Sequence, residues 1–223
     1  MPDLRKEKQI MKKLRMGKIA SEYITKNKWQ YFVACMSLIL GVFIGSGIAF
    51  MMNGEKADGV SAYVQNFISA YNLQSVNKVD VFKFSVYNNI KVVLLMWVSG
   101  LWLWFIPVSF VQLGVKGYRL GFSMAAFVRV LGGRGILFSA VSALPQVFLL
   151  VPALIIYAVI NVNFALCFQR MRRQKSSASS KTELYLKNLF SLIGIIIVSI
   201  ICSLADAYVM PVLLKPVCAF LSR

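Results

Sequence analysis

Residues 118–143 read YRLGFSMAAFVRVLGGRGILFSAVSA, and whether this stretch crosses a membrane decides the fold. It is apolar enough for a membrane segment, yet it holds Arg129, Arg134 and the breaker Gly132-Gly133. Around it lie stronger apolar runs at residues 29–52, 92–115, 144–168 and 189–210. Each is long enough to span, since about 20 residues cross the hydrocarbon core. Two basic blocks flank these runs. Residues 1–28 carry nine Lys or Arg and residues 169–188 carry six, out of 25 in the chain. The positive-inside rule places both blocks in the cytoplasm. The number of crossings between them is then even, but only three strong runs lie there. Either residues 118–143 supply the fourth, or one strong run re-enters. An Arg at mid-bilayer costs about 2.5–3.5 kcal/mol on insertion scales, which is bearable if it faces protein or snorkels to a head group. The stretch therefore reads as a short, broken helix packed inside a bundle.

The expected fold is an all-α, polytopic integral membrane helix bundle with about five transmembrane helices. Its N-terminus is cytoplasmic and its C-terminus is outside. Residues 1–28 form a basic cytoplasmic segment, and residues 29–223 form one transmembrane domain. That domain has an external loop at 53–91 and a cytoplasmic loop at 169–188. Composition agrees. The chain has 223 residues, 58% of them hydrophobic, whereas soluble domains run at about half apolar. The net charge of +17 would suggest nucleic acid in a soluble protein. Beside membrane spans it points instead to anionic lipid head groups, and no nucleic-acid partner is expected. The chain has no His, which removes His-based acid–base chemistry and most zinc sites. Cys35, Cys167, Cys202 and Cys218 form no C-x-x-C pair. They read as buried free thiols, with a disulfide or metal site as the alternative.

The first run opens on Trp29 and Tyr31, which suit the membrane interface. A signal peptide is the competing reading, but its apolar core would be shorter. In the second run Pro107 is expected to kink the helix. In the external loop, Val60, Tyr63, Val64, Phe67, Ile68 and Tyr71 recur at helical spacing. They predict an amphipathic helix lying on the outer leaflet, on a partner, or against the bundle itself. A second helix is expected to start near Asp80 as N-cap and to pass through Asn88 and Asn89. The basic segment before residue 28 reads as a surface helix, and residues 175–181 as a flexible linker.

Polar residues inside the membrane are the usual pointers to function. Here they are Gln112, Arg129, Gln146, Asn161, Asn163 and Asp206. Asp206 lies about 26 Å along a helix from Leu189, which suits an interfacial acid or a partner for Arg129 or Arg134. Asn161 and Asn163 are two apart and do not share a face. Gly41-x-x-x-Gly45 permits close helix approach, either within the bundle or in a homo-oligomer. No P-loop, H-E-x-x-H, G-x-S-x-G or paired carboxylate site occurs. No catalytic residue, cofactor or metal is assigned, and enzymatic activity is not expected.

Several short motifs occur in a fixed order. They are Asn88-Asn89-Ile90, Lys116-Gly117-Tyr118-Arg119-Leu120-Gly121-Phe122, Gly132-Gly133-x-Gly135, Leu144-Pro145-Gln146 and Val151-Pro152-Ala153-Leu154. With the basic N-terminus and Gly-rich first span, this order resembles the stage II sporulation protein M family across nearly the whole chain. Many broader relatives carry a His after Leu-Pro and an acid before the second Pro-Ala. Here those positions are Gln146 and Val151, which suits the sporulation branch. The resemblance implies a mother-cell septal membrane protein needed for engulfment of the forespore. It implies a complex with the peptidoglycan-cleaving stage II sporulation proteins D and P, in which this component is a non-enzymatic scaffold. Contacts would then fall on residues 60–90, the Gly132–Gly135 turn and the tail 209–223, or on Gly41 and Gly45 in the bilayer. The alternative is a transporter or permease subunit, for which the broken helix with Arg129 is the hint.

Overall fold

The computed structural model describes residues 22–72, 77–174 and 178–214. These residues form helices α1 (Lys28–Met51), α2 (Glu55–Asn72), α3 (Lys78–Leu101), α4 (Ile106–Leu131), α5 (Gly133–Pro145), α6 (Val151–Arg173) and α7 (Ala178–Leu204). A 3₁₀ turn at Leu103–Phe105 joins α3 to α4. A π-helical turn at Gln146–Leu150 joins α5 to α6, and another at Ala205–Val209 extends α7. No strand occurs among the described residues. The protein is an all-α polytopic membrane bundle. Among the described residues, four segments are long and apolar enough to cross a membrane: Lys28–Met51, Lys78–Leu101, Gln146–Arg173 and Ser180–Leu214.

Helix α4 runs beside α1 for its whole length. It has 26 residues, about 39 Å of helix, and its Lys116, Arg119 and Arg129 dilute its apolar character. The two helices are parallel. Ser37 Oγ donates to the Phe110 carbonyl at 2.6 Å near one end, and Arg129 donates to the Ala49 carbonyl at 2.8 Å near the other. Between these points both backbones touch. A Cβ on Gly41 would land on the Gly114 carbonyl oxygen, and one on Gly45 on that of Tyr118. In return, a Cβ on Gly117 or Gly121 would land on the Leu38 or Val42 carbonyl. Without a hydrophobic drive between helices in lipid, such close van der Waals contact is what holds them.

The helix boundaries differ from the sequence reading. The second crossing is α3, residues 78–101, and not 92–115. It starts earlier because the Asn77 side chain, not Asp80, caps it, accepting from the Val79 N–H at 3.1 Å. Asp80 sits in the first turn, where an acid complements the helix dipole. The helix stops at Trp102, and Pro107 lies in the first turn of α4. There its missing N–H is no loss, so it starts a helix and does not kink one. The middle of the chain holds the unbroken helix α4, residues 106–131, and not a broken helix over 118–143. Gly132-Gly133 falls at its end. Gly132 has φ 61° and ψ −143°, a region open essentially to Gly alone. Gly132→Ala is therefore expected to destabilise by about 1–3 kcal/mol, while Gly133→Ala, which meets open space, changes little. Thermal melts of the purified variants check this.

Helix α5 folds back on α4, and the rings of Phe127 and Phe138 meet at 4.8 Å. Helix α2 closes over them through Phe67, 5.8 Å from Phe127. The central core holds Val93, Met96, Leu113, Leu154 and Tyr157, all at most 2% exposed. The outward faces are apolar too, with Phe43 and Phe190 at 70% and 72% exposed, as befits a surface in contact with lipid. At one end, Asn163 of α6 accepts from Gln30 Nε2 at 3.2 Å and donates to the Tyr23 hydroxyl at 2.9 Å. The described part of the N-terminal basic block and the basic end of α6 therefore share one end of the bundle. Residues 1–21, 175–177 and 215–223 lie outside the described residues, and with them the expected surface helix, part of the linker and most of the tail. Helix α7 already begins at Ala178.

Candidate functional site

The centre of α4 carries a lysine amine into the interior of the bundle. Gly114 and Gly117 flank Lys116, and they meet α1 at Ser37, Leu38 and Gly41, midway along that helix. Packing of small residues on one face of α4 thus carries Lys116, on another face, deep into the bundle. It is 3% exposed. Its Nζ donates to Asn89 Oδ1 on α3 at 3.0 Å. The Asn89 amide nitrogen donates in turn to Ser203 Oγ at 3.1 Å and, more weakly, to Ser85 Oγ at 3.4 Å. Ser85 Oγ donates to Asp206 Oδ2 at 2.7 Å, and Ser203 Oγ donates to the Ser199 carbonyl at 2.9 Å. The donors therefore point in one sense, from Lys116 to Asp206, and successive bonds in such a chain polarise one another. Lys116 and Asp206 are joined through Asn89 and Ser85 rather than by a direct ion pair. Next to this chain, Arg119 donates to Asn88 Oδ1 at 2.6 Å.

The carboxylate end opens on a cleft of about 210 Å³ at the end of the bundle opposite the basic blocks. Gln146, Asp206, Asn88 and Ser142 line its polar side, and Phe67 and Phe84 its rim. Gln146 opens one π-helical turn and Asp206 lies in the other. Single-turn π segments are frequent at functional sites, because the extra residue re-aims a side chain. Here two of them aim polar groups from separate helices into one cleft. Below the cluster, Val93, Met96, Leu113 and Leu154 form a dry layer. Beyond that layer lies a second polar group. Asn161 Nδ2 donates to the Met96 carbonyl at 3.1 Å, and Ser99 and Ser109 hydroxyls pair at 2.6 Å.

The residues singled out from sequence divide accordingly. Asn89, Gln146 and Asp206 converge on the cluster, with Asn88 beside it. Asn161 faces the core, while Asn163 sits at the basic end, so the two do point apart. Arg129 is a correction. It does not lie at mid-bilayer or partner Asp206. It sits in the last turn of α4, exposed, and its guanidinium donates to the final carbonyls of α1, Ala49 and Phe50. Cations at a helix C-terminus satisfy orphan carbonyls and oppose the dipole. Gly41 and Gly45 are occupied by α4. Phe67 packs inward, Tyr63 is 70% exposed, and the Tyr71 side chain lies outside the described residues. Cys202 is buried, but Cys35 is exposed on the lipid face, against the expectation that every thiol is buried; neither they nor Cys167 form a disulfide. Cys218 lies outside the described residues.

Sequence reading names Lys116 only within the family motif at 116–122, not among the intramembrane polar residues, and misses Ser85 and Ser203. Placing a span at 92–115 put Lys116 in a loop. The spacing Gly114-x-x-Gly117-x-x-x-Gly121, matched to Gly41-x-x-x-Gly45, was the available signal that the helix continues through the lysine. No curated protein and no solved structure matches the chain. The family model described as stage II sporulation protein M matches residues 34–211, a range that takes in α3 to α6 and every residue of the charged cluster. The chain belongs to the stage II sporulation protein M family.

Proposed function

We propose that this protein is a non-enzymatic membrane scaffold that holds peptidoglycan-degrading partners at the septal membrane during forespore engulfment. The partners in this reading are stage II sporulation proteins D and P. The observation that carries it is the family match over residues 34–211. Two features of the bundle support it. The intramembrane polar groups of the cluster bond one another, as structural networks do. An apron of exposed aromatics, Tyr63, Phe84 and Tyr87 at 69–74% exposure, surrounds the end away from the basic blocks. Exposed aromatic surface of this kind suits protein contacts. The test is reconstitution of the full chain into liposomes with purified soluble domains of the two hydrolases. The expected result is co-flotation of a hydrolase that weakens at least tenfold when Tyr63 and Phe84 are changed to Ser. Flotation unaffected by the pair, or absent altogether, would count against the scaffold.

One observation favours a second reading, a transporter subunit. Lys116 and Asp206 sit inside the bundle beside a cleft, and buried ionisable residues mark solute pathways in many membrane proteins. The dry layer of Val93, Met96, Leu113 and Leu154 weighs against an open route. Flux of a small polar solute through proteoliposomes, abolished by Lys116→Met, would favour this reading over the scaffold.

A further inference from the structure

At the basic end of the bundle, three helices leave the membrane together. Helix α3 stops at Leu101, α6 passes from apolar sequence into Gln169-Arg170-Met171-Arg172-Arg173, and α7 rises past Tyr185. Between them lies a cavity of about 610 Å³. Trp97, Trp102, Trp104, Phe168 and Tyr185 form its walls, and Arg172 stands at its polar side with Gln169. Tyr185 is held in place by edge contacts to Phe164 and Phe168, with ring centres 5.4 and 5.2 Å away. Trp104 is 92% exposed. Burying an indole is worth much in a core, so a fully exposed one at a helix end is suited to the head-group layer, where its apolar body and N–H are both satisfied.

We propose that this cavity is a binding site for one anionic phospholipid. Its shape is that of an amphiphile's partner. The aromatic and aliphatic walls accept glycerol and the first methylenes of an acyl chain. The guanidinium of Arg172 donates charge-assisted hydrogen bonds to a phosphate, for which its planar fork is suited. The surrounding charge selects a net negative head group over a zwitterionic one. Arg170, Arg173 and Lys181 are close in sequence, and the nearby acid Glu183 is taken by Lys187 at 2.7 Å. A free phosphate ion would leave the aromatic walls unused. The site differs from general attraction of the basic blocks to a charged surface, because it assigns the effect to one arginine and one tryptophan.

The test uses the purified full chain in detergent micelles, titrated with phosphatidylglycerol or phosphatidylcholine. Lipid retention is read by native mass spectrometry and lipid-dependent stabilisation by thermal melting. Phosphatidylglycerol is expected to be retained and to raise the melting temperature, with phosphatidylcholine much weaker. Arg172→Gln is expected to weaken phosphatidylglycerol binding about tenfold, the loss of one charge-assisted contact. Arg173→Gln, on the same turn but outside the cavity lining, should stay within about twofold on the scale set by exposed charges. Trp104→Ala should also weaken retention and reports on the wall if the arginine variant fails to fold. Equal losses in the two arginine variants would overturn the proposal in favour of diffuse adsorption. So would equal binding of phosphatidylcholine, or an equal thermal shift from inorganic phosphate alone.

Discussion

Leucine at Gly41 or Gly45 is expected to leave little folded protein in the membrane. At both positions a Cβ would meet a backbone carbonyl of α4. A flexible side chain can step aside, but a helix backbone cannot without displacing its neighbours. The two helices must then separate along the stretch where Gly114, Gly117 and Gly121 approach Ser37, Leu38 and Val42. The cost lies at or above the upper end of overpacking, about 3 kcal/mol, against a total stability of about 5–15 kcal/mol. Gly47→Leu is the control, since a side chain there meets open space on the same helix. It should melt within about 0.5 kcal/mol of the parent. Quantifying each variant in the membrane fraction and by thermal melting checks the pair. A Gly41→Leu protein that melts like the parent would contradict the α1–α4 packing.

The second large effect is an asymmetry within the charged cluster. Lys116 is 3% exposed, whereas Asp206 is half-buried and lines a cleft. Asp206→Leu removes the acceptor of the Ser85 hydroxyl and the acid at the end of the chain from Lys116, a loss bounded above by the cost of breaking a direct buried pair, about 3–5 kcal/mol. Lys116→Leu leaves a carboxylate that can still be hydrated through the cleft, so its cost is smaller. The double variant should therefore be more stable than Asp206→Leu alone, since replacing a whole buried pair by apolar groups is often neutral. Asp206→Asn keeps an acceptor for the Ser85 hydroxyl and should be tolerated better than leucine at Gly41. The double-mutant cycle reads the coupling directly. Additive losses with no rescue would mean that the two charges do not sense each other.

These two predictions also show what the sequence could and could not convey. Spans whose apolar face is continuous, such as α1 and α6, were legible from length alone. The parity of the basic blocks asks for one more long helix in the middle of the chain, and α4 occupies that stretch, packed along α1. The boundaries of α3 and α4 were not legible, because hydropathy averages over a window and both helices carry polar residues on a protein-facing side. Asn88, Asn89 and Lys116 depress the signal where the helices are most deeply packed. The apolar Trp97–Val115 region, by contrast, contains the turn between them. Asp206 and Gln146 were recognised as intramembrane polar groups, but their meeting depends on π-helical turns, whose extra residue breaks the helical period that sequence reading relies on.

The most direct test of the scaffold reading is in-cell photocrosslinking during sporulation. A photoreactive residue is placed at Tyr63 or Phe84, on the exposed apron, and at Phe43 on the lipid face. A tagged copy of the protein is then recovered and its adducts identified. The scaffold predicts adducts with a peptidoglycan-cleaving protein from Tyr63 or Phe84 and none from Phe43. A well-expressed, correctly inserted protein that yields no cell-wall enzyme from the apron, at the time engulfment proceeds, would contradict it.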